Sequence, residues 1–232
     1  MPPRAPTIDA VTLSATPRTQ LRRKRERQAD DRALLHAVLD EALVCHLGLV
    51  DDDGTPLVLP TMHARVGEVV YVHGSTGAAS LAADRDVCLT VTLLDGLVLA
   101  RSVFSHSANY RSAVVRGRAR RVTDPEEQLR ALRAVVEHLT PGQWDHARRP
   151  DRRETAATAV LALPLDEASV KVRQGPPGDP EAVADGDPRW AGVVPVSTVL
   201  GAPETCPALP GDVAVPEHVR AWTGYSPRTG PR

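Results

Sequence analysis

Residues 109–120 constrain the fold of this chain most strongly, because their side chains alternate with a period of two. One set is small and apolar and consists of Ala113, Val115, Gly117 and Ala119. The alternate set is mostly polar or cationic and consists of Ser112, Val114, Arg116 and Arg118. Successive side chains of a strand point to opposite faces of the sheet. The segment therefore predicts a β-strand with one face in a core and the other able to meet an anion.

Helices are predicted on both sides of this strand. Thr123 or Asp124 is suited to cap a helix from about Pro125 to Leu139, with carboxylates in the first turn. Asp30 or Asp31 is suited to cap an earlier amphipathic helix, whose apolar side chains are Leu34, Leu35, Val38, Leu39 and Leu43. A further helix is predicted over 151–158.

The rest of the central region is typical of short antiparallel strands. They are predicted over Val44–Val50, Pro56–Arg65, Val69–His73, Val87–Leu94, Leu97–Val103, 110–122, Val160–Leu165 and Ser169–Arg173. Hairpin turns are predicted at residues 51–54 and at Asp95-Gly96, and residues 74–77 lead into a short helix through Leu81. The fold class expected is mainly β with helices (α+β), a small closed barrel with helical additions.

Composition limits the class of protein. The 232 residues are 42% hydrophobic with a net charge of −1, which favours neither nucleic acid nor an acidic partner. The basic run 22–27 is interpreted as a solvated segment, with nucleic-acid binding as the alternative. The three cysteines show no disulfide or zinc-ligand spacing, and we expect no metal site. Neither a secretion signal nor a membrane span is expected, which favours the cytoplasm.

We predict three regions along the chain. Residues 1–28 form a disordered arm rich in Arg and Pro, residues 29–200 a folded domain, and residues 201–232 an extended tail rich in Pro and Gly.

Five segments occur in the order typical of the FMN-binding split-barrel superfamily, in the branch of pyridoxamine 5′-phosphate oxidase-related proteins and nitroimidazole reductases. They are Leu59–Arg65, Val70–Ser75, Asn109–Ser112, Lys171–Pro177 and Trp190–Val193. The chain resembles this superfamily over roughly residues 20 to 200. The resemblance implies a split β-barrel, an FMN cofactor, and a homodimer with the cofactor at its interface.

The resemblance also implies which residues contact the cofactor. Thr61 and His63 match the strand beside the flavin ring, and Val72, His73, Gly74 and Ser75 match the turn around the phosphate. The superfamily's oxidases carry a cationic pair just after this turn, where this chain has Ala78 and Ala79. Phosphate neutralisation is therefore expected from Arg111, with Arg65 and Lys171 as alternatives.

Further contacts are expected from later segments. Asn109, Arg111 and Ser112 match the strand that reaches the cofactor, and the partner subunit could supply them. Lys171 and Arg173 alternate on one strand face and can form a cationic patch. Trp190 resembles the late tryptophan that packs on flavin, with pinning of the tail as the alternative. His106 is the one candidate for acid–base catalysis, and a merely exposed loop histidine is the alternative.

The function predicted is an FMN-dependent oxidoreductase acting on a small molecule. Val193–Val196 stands where true pyridoxamine 5′-phosphate oxidases carry an arginine-containing signature, which argues against pyridoxamine 5′-phosphate as substrate. One alternative is a reductase of nitro-aromatic compounds. Another is a non-catalytic barrel that binds flavin or haem, because His63, His73 and His106 could each provide an axial imidazole.

Overall fold

The computed structural model describes residues 12–13, 16–20, 24–78, 85–178, 186–211 and 213–224. Within these residues, ten strands form one antiparallel sheet. The strands are β1 (Gln28–Ala29), β2 (Cys45–Val50), β3 (Pro56–Thr61), β4 (His63–Val66), β5 (Val69–Ser75), β6 (Arg85–Leu99), β7 (Ser107–Arg121), β8 (Thr158–Pro164), β9 (Glu167–Arg173) and β10 (Gly192–Pro195). The α-helices are α1 (Arg32–Glu41), α2 (Pro125–Leu139), α3 (Gln143–His146), α4 (Arg152–Ala157) and α5 (Glu217–Arg220).

The sheet is organised around β6 and β7, which are 15 residues long each and pair along almost their whole length. The main strand order is β3-β2-β6-β7-β8-β5-β4. On the edge that faces away from the other long strand, each of them pairs with a further strand. β10 pairs with β6, and β9 pairs with β7. Because β7 pairs with β9 near its start and with β8 at Arg120 and Arg121, it joins the two parts of the sheet.

The face assignment predicted for β7 is confirmed. Ala113, Val115 and Ala119 are buried, whereas Arg116 and Arg118 on the alternate face are exposed. The buried face belongs to the main core, which α1 closes with Leu35, Val38 and Leu39. A core built from Val, Leu and Ala with few aromatics is consistent with an aromatic content of 3%.

A second, smaller core lies under α2. Ala131 of α2 packs with Tyr71, Val122, Val160 and Ala162. The Tyr71 hydroxyl donates a hydrogen bond to Glu127 of α2 at 2.8 Å, and Arg120 pairs with the same carboxylate. Residues on α2 are thereby fixed to both β5 and the end of β7.

The helix caps agree with the sequence. The Asp31 side chain accepts a hydrogen bond from the Ala33 amide at the start of α1. The Asp124 side chain accepts from the amides of Glu126 and Glu127 at the start of α2. These side chains satisfy backbone N–H groups that have no partner within the first turn.

The hairpin predicted at Asp95-Gly96 is wrong. The chain continues as one strand through both residues, and the register with β7 shifts between Leu94 and Gly96 in a β-bulge. Pairing of Gly96 with Asn109 and of Leu97 with Ala108 prevails over the local turn preference of Asp-Gly. The turn lies later, where Val103–Ser105 forms a short 3₁₀ helix before β7.

The single strand predicted over Pro56–Arg65 is also wrong, because the segment is divided at Met62. The first part, β3, pairs with β2, and the second part, β4, pairs with β5. The two strands that end the main strand order are therefore consecutive in the chain. The strand after Val69 extends to Ser75, and the short helix predicted through Leu81 includes residues 79–81, which lie outside the described residues.

The terminal segments are attached to the fold more closely than predicted. In the region predicted as a disordered arm, Leu13 is buried in the main core and the Thr16 hydroxyl donates to Glu167 of β9 at 2.7 Å. In the region predicted as an extended tail, α5 places His218 against α3, where its Nε2 lies 3.0 Å from Gln143 Oε1. A buried leucine and these hydrogen bonds hold segments whose composition alone suggests no order.

Gly96 allows β10 to approach β6. A Cβ atom at this position would lie 2.9 Å from Val193 Cγ1 and 3.1 Å from the Val194 carbonyl oxygen. We expect Gly96→Ala to displace β10 and to lower the free energy of unfolding by about 1–3 kcal/mol. Hydrogen exchange of the β10 amides should become faster. Gly201→Ala is the matched control, because a Cβ there meets nothing within 4 Å; unchanged exchange in Gly96→Ala would contradict this account.

Candidate functional site

His63, predicted to lie beside a cofactor ring, is the first residue of β4 and is completely buried against α1 and α2. Its Nε2 donates to the Leu39 carbonyl at 3.0 Å, and its ring centroid lies 5.2 Å from that of His138. His138 Nε2 in turn donates to the Ala42 carbonyl at 2.9 Å. The two histidines satisfy carbonyl groups at the end of α1, and His63 offers no surface to a ligand in this structure.

The predicted phosphate turn is divided between the core and the surface. Val72 is buried in the main core, so its side chain does not face a ligand. His73 points to the other face and is half-buried, and its Nδ1 atom is buried without a hydrogen-bond partner. Burial lowers the pKa of His73 below its usual value, which favours the neutral imidazole.

The end of β5 forms a compact turn. The Ser75 hydroxyl accepts a hydrogen bond from the Gly77 amide at 3.2 Å, and its carbonyl accepts from the Ala78 amide at 3.0 Å. Ser75 is exposed and Gly74 is half-buried. Ala79 lies outside the described residues. We call His73, Gly74 and Ser75 the His73 cluster.

A second group of predicted residues meets where β7 and β9 pair. Ser112 is opposite Lys171, and its hydroxyl lies 3.4 Å from the Lys171 carbonyl oxygen. Arg173 donates to the Asn109 side chain and also to the Gly175 and Pro176 carbonyls, both at 3.1 Å. Asn109 is buried and donates to the Gly175 carbonyl at 3.2 Å. We call Asn109, Ser112, Lys171 and Arg173 the Lys171 cluster.

Arg111, the residue expected first to neutralise a phosphate, is bound by two carboxylates. It donates to both oxygens of Asp95, at 2.9 and 2.7 Å, and to both oxygens of Glu41, one of them at 2.7 Å. The side chains of Arg111, Glu41 and Asp95 are only 18%, 14% and 17% exposed. The hydrogen bonds that Arg111 donates to Glu41 and then to Asp95 raise the pKa of Arg111 further above its usual range. The group carries a net charge of −1, so its location does not favour phosphate.

The alternative Arg65 is occupied as well. Its guanidinium group donates to both oxygens of Asp40, at 2.9 and 2.5 Å, and to the Gly67 carbonyl at 2.9 Å. By contrast, Lys171 and Arg173 have no carboxylate partner within the described part of the chain. The Lys171 cluster therefore retains positive charge that an anion could use.

The His73 and Lys171 clusters lie at different ends of β7. His73 pairs with Val160, whose carbonyl accepts from the Val122 amide just beyond β7. Ser112 lies ten residues before Val122, a path of about 30 Å along the strand. Within one chain, the structure does not bring the two predicted groups together.

The remaining predicted residues occupy separate positions. Thr61 is half-buried at the end of β3, opposite Cys45. His106 lies on the exposed turn before β7, with Nδ1 donating to the Ser102 carbonyl at 3.0 Å. Trp190 is 67% exposed, and its ring lies against Gly192 at the start of β10. Its exposed indole remains available for a ligand or a second chain.

Sequence reasoning did not identify a groove of about 440 Å³ beside Arg111. It is lined by Glu41–Val44 and His46 on one side, by Thr92–Asp95 of β6, and by Val196–Thr198 after β10. One feature of the sequence could have indicated this groove. Arg111 falls on the same face as the buried Ala113, where a charged side chain requires carboxylate partners.

No helix in the described part of the chain is both long and apolar enough to cross a membrane. Among the same residues, no three His, Cys, Asp or Glu side chains are grouped so that they could bind a metal ion.

The family of the chain follows from comparison with known proteins. The family model described as pyridoxamine 5′-phosphate oxidase matches residues 31–172, which include β2 to β8 and nearly all of β9. The chain belongs to this family, and the resemblance identified in the sequence is confirmed. Membership establishes a flavin-binding family and a mixed α/β fold with a large antiparallel sheet. No significant match is found among curated proteins.

Solved structures include two that resemble the chain over nearly its full length. The flavocytochrome Anf3 from Azotobacter vinelandii is 39% identical, with a TM-score of 0.81, over 88% of this chain and 95% of that one. An FAD- and haem-binding protein from Mycobacterium smegmatis is 38% identical, with a TM-score of 0.80, over 87% and 99% of the two chains. A proposed 5-nitroimidazole antibiotic resistance protein from Bacteroides thetaiotaomicron, 24% identical with a TM-score of 0.54 over 62% and 86%, shares the fold alone.

The buried His63 makes stability depend on pH. Burial lowers the pKa of His63 to about 4, against an ordinary value near 6.5. The unfolded chain therefore binds a proton between these pH values that the folded chain does not. Stability should be complete above about pH 6.5 and should fall by about 3 kcal/mol as the pH decreases to about 4.

Urea unfolding measured between pH 4 and pH 7.5 tests this expectation. His63→Gln keeps an N–H donor for the Leu39 carbonyl but cannot titrate, so its stability should change less with pH. His106→Gln, on the exposed turn, is the control and should retain the wild-type slope. Equal slopes in wild type and His63→Gln would show that His63 does not cause the effect.

Proposed function

We propose that the protein is a flavin-dependent oxidoreductase that acts as a homodimer of split barrels, with each flavin held between two subunits. The separation of the His73 and Lys171 clusters along β7 carries this proposal. Both clusters match cofactor-contacting segments of the family, yet one chain cannot apply both to one ligand. In a dimer, the His73 cluster of one subunit and the Lys171 cluster of its partner can face the same cofactor.

The chemistry of the Lys171 cluster fits a flavin. A flavin phosphate needs cations or N–H donors, and Lys171 and Arg173 are not neutralised by carboxylates within the described residues. The Arg173 guanidinium donates a hydrogen bond to the Asn109 carboxamide, and Asn109 donates to the Gly175 carbonyl. These bonds fix the direction of the N–H donors of both side chains. The Ser75 hydroxyl supplies an uncharged polar group on the other side, whereas the turn amides of Thr76, Gly77 and Ala78 already have hydrogen-bond partners within the chain.

The flavin we propose is FAD, although the sequence alone suggested FMN. The two structures that are 38–39% identical are named for FAD and haem or as a flavocytochrome, and they cover nearly the whole chain. Isothermal titration of the cofactor-free protein with FAD and FMN distinguishes the two flavins. Tighter binding of FMN would favour the original expectation.

When bound, the flavin supplies hydride or electron transfer, and the chain supplies binding and orientation. The proposed substrate is a small molecule other than pyridoxamine 5′-phosphate. Val193 and Val194 pair with β6 in β10, at the position where that substrate's phosphate would require an arginine. His106 remains a candidate proton donor or acceptor, with Nε2 free of a hydrogen bond among the described residues.

A mixed dimer tests whether two chains complete one site. Ser75→Glu damages the His73 cluster and Lys171→Glu damages the Lys171 cluster, and each alone should abolish flavin binding at both sites of a dimer by repelling the phosphate. A mixed dimer of the two variants contains one site with both changes and one with neither. Co-purified with two tags, it should bind one flavin per dimer by absorbance at 450 nm.

Val50→Glu, on an exposed position of β2 outside both clusters, is the control for charge and should leave two flavins per dimer. If both clusters served one ligand within a single chain, each chain of the mixed dimer would be defective. No flavin in the mixed dimer would therefore contradict the shared site.

Haem is a second candidate cofactor, and His73 is the observation that favours it. The buried Nδ1 of His73 has no partner, and burial keeps the imidazole neutral, as an iron ligand must be. His63 also has a buried Nδ1 without a partner, but it is completely enclosed, and His106 lies on an exposed turn. One of the two proteins that match most of the chain is named as binding FAD and haem, and the other is named as a flavocytochrome. We propose that His73 is an axial ligand.

His73→Ala should remove the Soret band after reconstitution with haemin, while His106→Ala should retain it. Low-temperature electron paramagnetic resonance of the ferric protein should lose its imidazole-ligated signal only in His73→Ala. A Soret band and signal that persist in His73→Ala would assign the iron to another residue.

A further inference from the structure

The groove beside Arg111 is built by three separate features of the fold. The β-bulge in β6 turns Asp95 towards Arg111, and bulges commonly redirect a side chain in this way. Gly96 allows β10 to approach, and the Val196 amide donates to the Asp95 carbonyl at 3.1 Å. Residues after β10 thereby line the groove together with the end of α1.

The charge of the groove is negative and only partly compensated. Two carboxylates, Glu41 and Asp95, share the single positive charge of Arg111. All four of their oxygens accept from that guanidinium, but each carboxylate oxygen can accept further hydrogen bonds. A half-buried excess charge is unfavourable in the empty groove and is relieved by a cation or an N–H donor.

The rest of the lining is suited to a ring. Leu43, Val44, Leu94 and Val196 provide apolar surface, and Thr92, Ser197 and Thr198 provide hydroxyl groups beside it. A volume of about 440 Å³ lies in the range of small-molecule sites. The groove also shares no lining residue with the predicted flavin contacts.

We infer that this groove binds a small ring compound that is neutral or positively charged and presents N–H donors, such as an aromatic amine or amidine, and that it excludes anions. The inference concerns a site apart from the proposed flavin site. It assigns Asp95 and Glu41 as acceptors for the ligand and Arg111 as the residue that positions both carboxylates.

Benzamidine and benzoate are matched probes, because they have the same ring and similar size but opposite charge. Calorimetric titration of the full chain as purified should show benzamidine binding at least about tenfold tighter than benzoate. Benzoate cannot donate a charged hydrogen bond to Asp95 or Glu41, and its own carboxylate is repelled by theirs. Comparable affinities would overturn the inference. Release of bound flavin by benzamidine, seen as flavin fluorescence, would show that the groove is the flavin site and would also overturn it.

Two pairs of variants locate the binding. Asp95→Asn should weaken benzamidine about tenfold, while Asp40→Asn, whose carboxylate pairs with Arg65 away from the groove, should not. Thr198→Trp should block the groove while Glu41, Arg111 and Asp95 themselves remain unsubstituted. Val199→Trp, exposed and outside the lining, is its control. Equal affinity of Thr198→Trp and Val199→Trp would place benzamidine elsewhere, and thermal melting of each variant verifies that it is folded.

Discussion

The pairing of β6 with β7 is the interaction on which the rest of the structure depends. The two strands remain paired from Arg85 with Ala119 to Val98 with Ser107, across a bulge. Their outer edges carry β2, β10, β8 and β9, so both the core and the terminal segments are attached to this pair. The two strands are consecutive in the chain and their pairing begins only nine residues apart, at Val98 and Ser107, so the loop entropy lost in closing them is small and extensive backbone pairing offsets it.

Much of this arrangement could be predicted because it follows from local patterns. The alternation in β7 and the capping residues Asp31 and Asp124 depend only on neighbouring residues, and α2 begins and ends where its sequence indicates. The errors at Asp95-Gly96 and Met62 have a common physical cause. At both places a distant strand decides whether the chain turns or continues, and local preference carries no information about that strand.

The candidate site shows the same division. Family resemblance supplied residues on β5, β7 and β9, but it could not show which cations were already neutralised. Arg111 is held by Glu41, 70 residues away, and Asp95, 16 residues away. Burial of His63 likewise depends on helices far from it in sequence. Whether a side chain is buried or already paired depends on residues distant in the sequence. Motif spacing therefore indicates which residues belong to the site better than it indicates whether they are free to bind a ligand.

Adjacent residues of β7 therefore serve opposite electrostatic purposes. Ser112 faces Lys171, on a side where positive charge is not balanced by carboxylates of the described residues, whereas Arg111 points to the other side and is outnumbered by carboxylates. Because successive side chains of a strand alternate, one short segment separates a surface that attracts anions from a groove that repels them. A phosphate-bearing cofactor would be directed to the first and a neutral or cationic ring to the second. The strand that organises the fold thus also separates two kinds of ligand by charge.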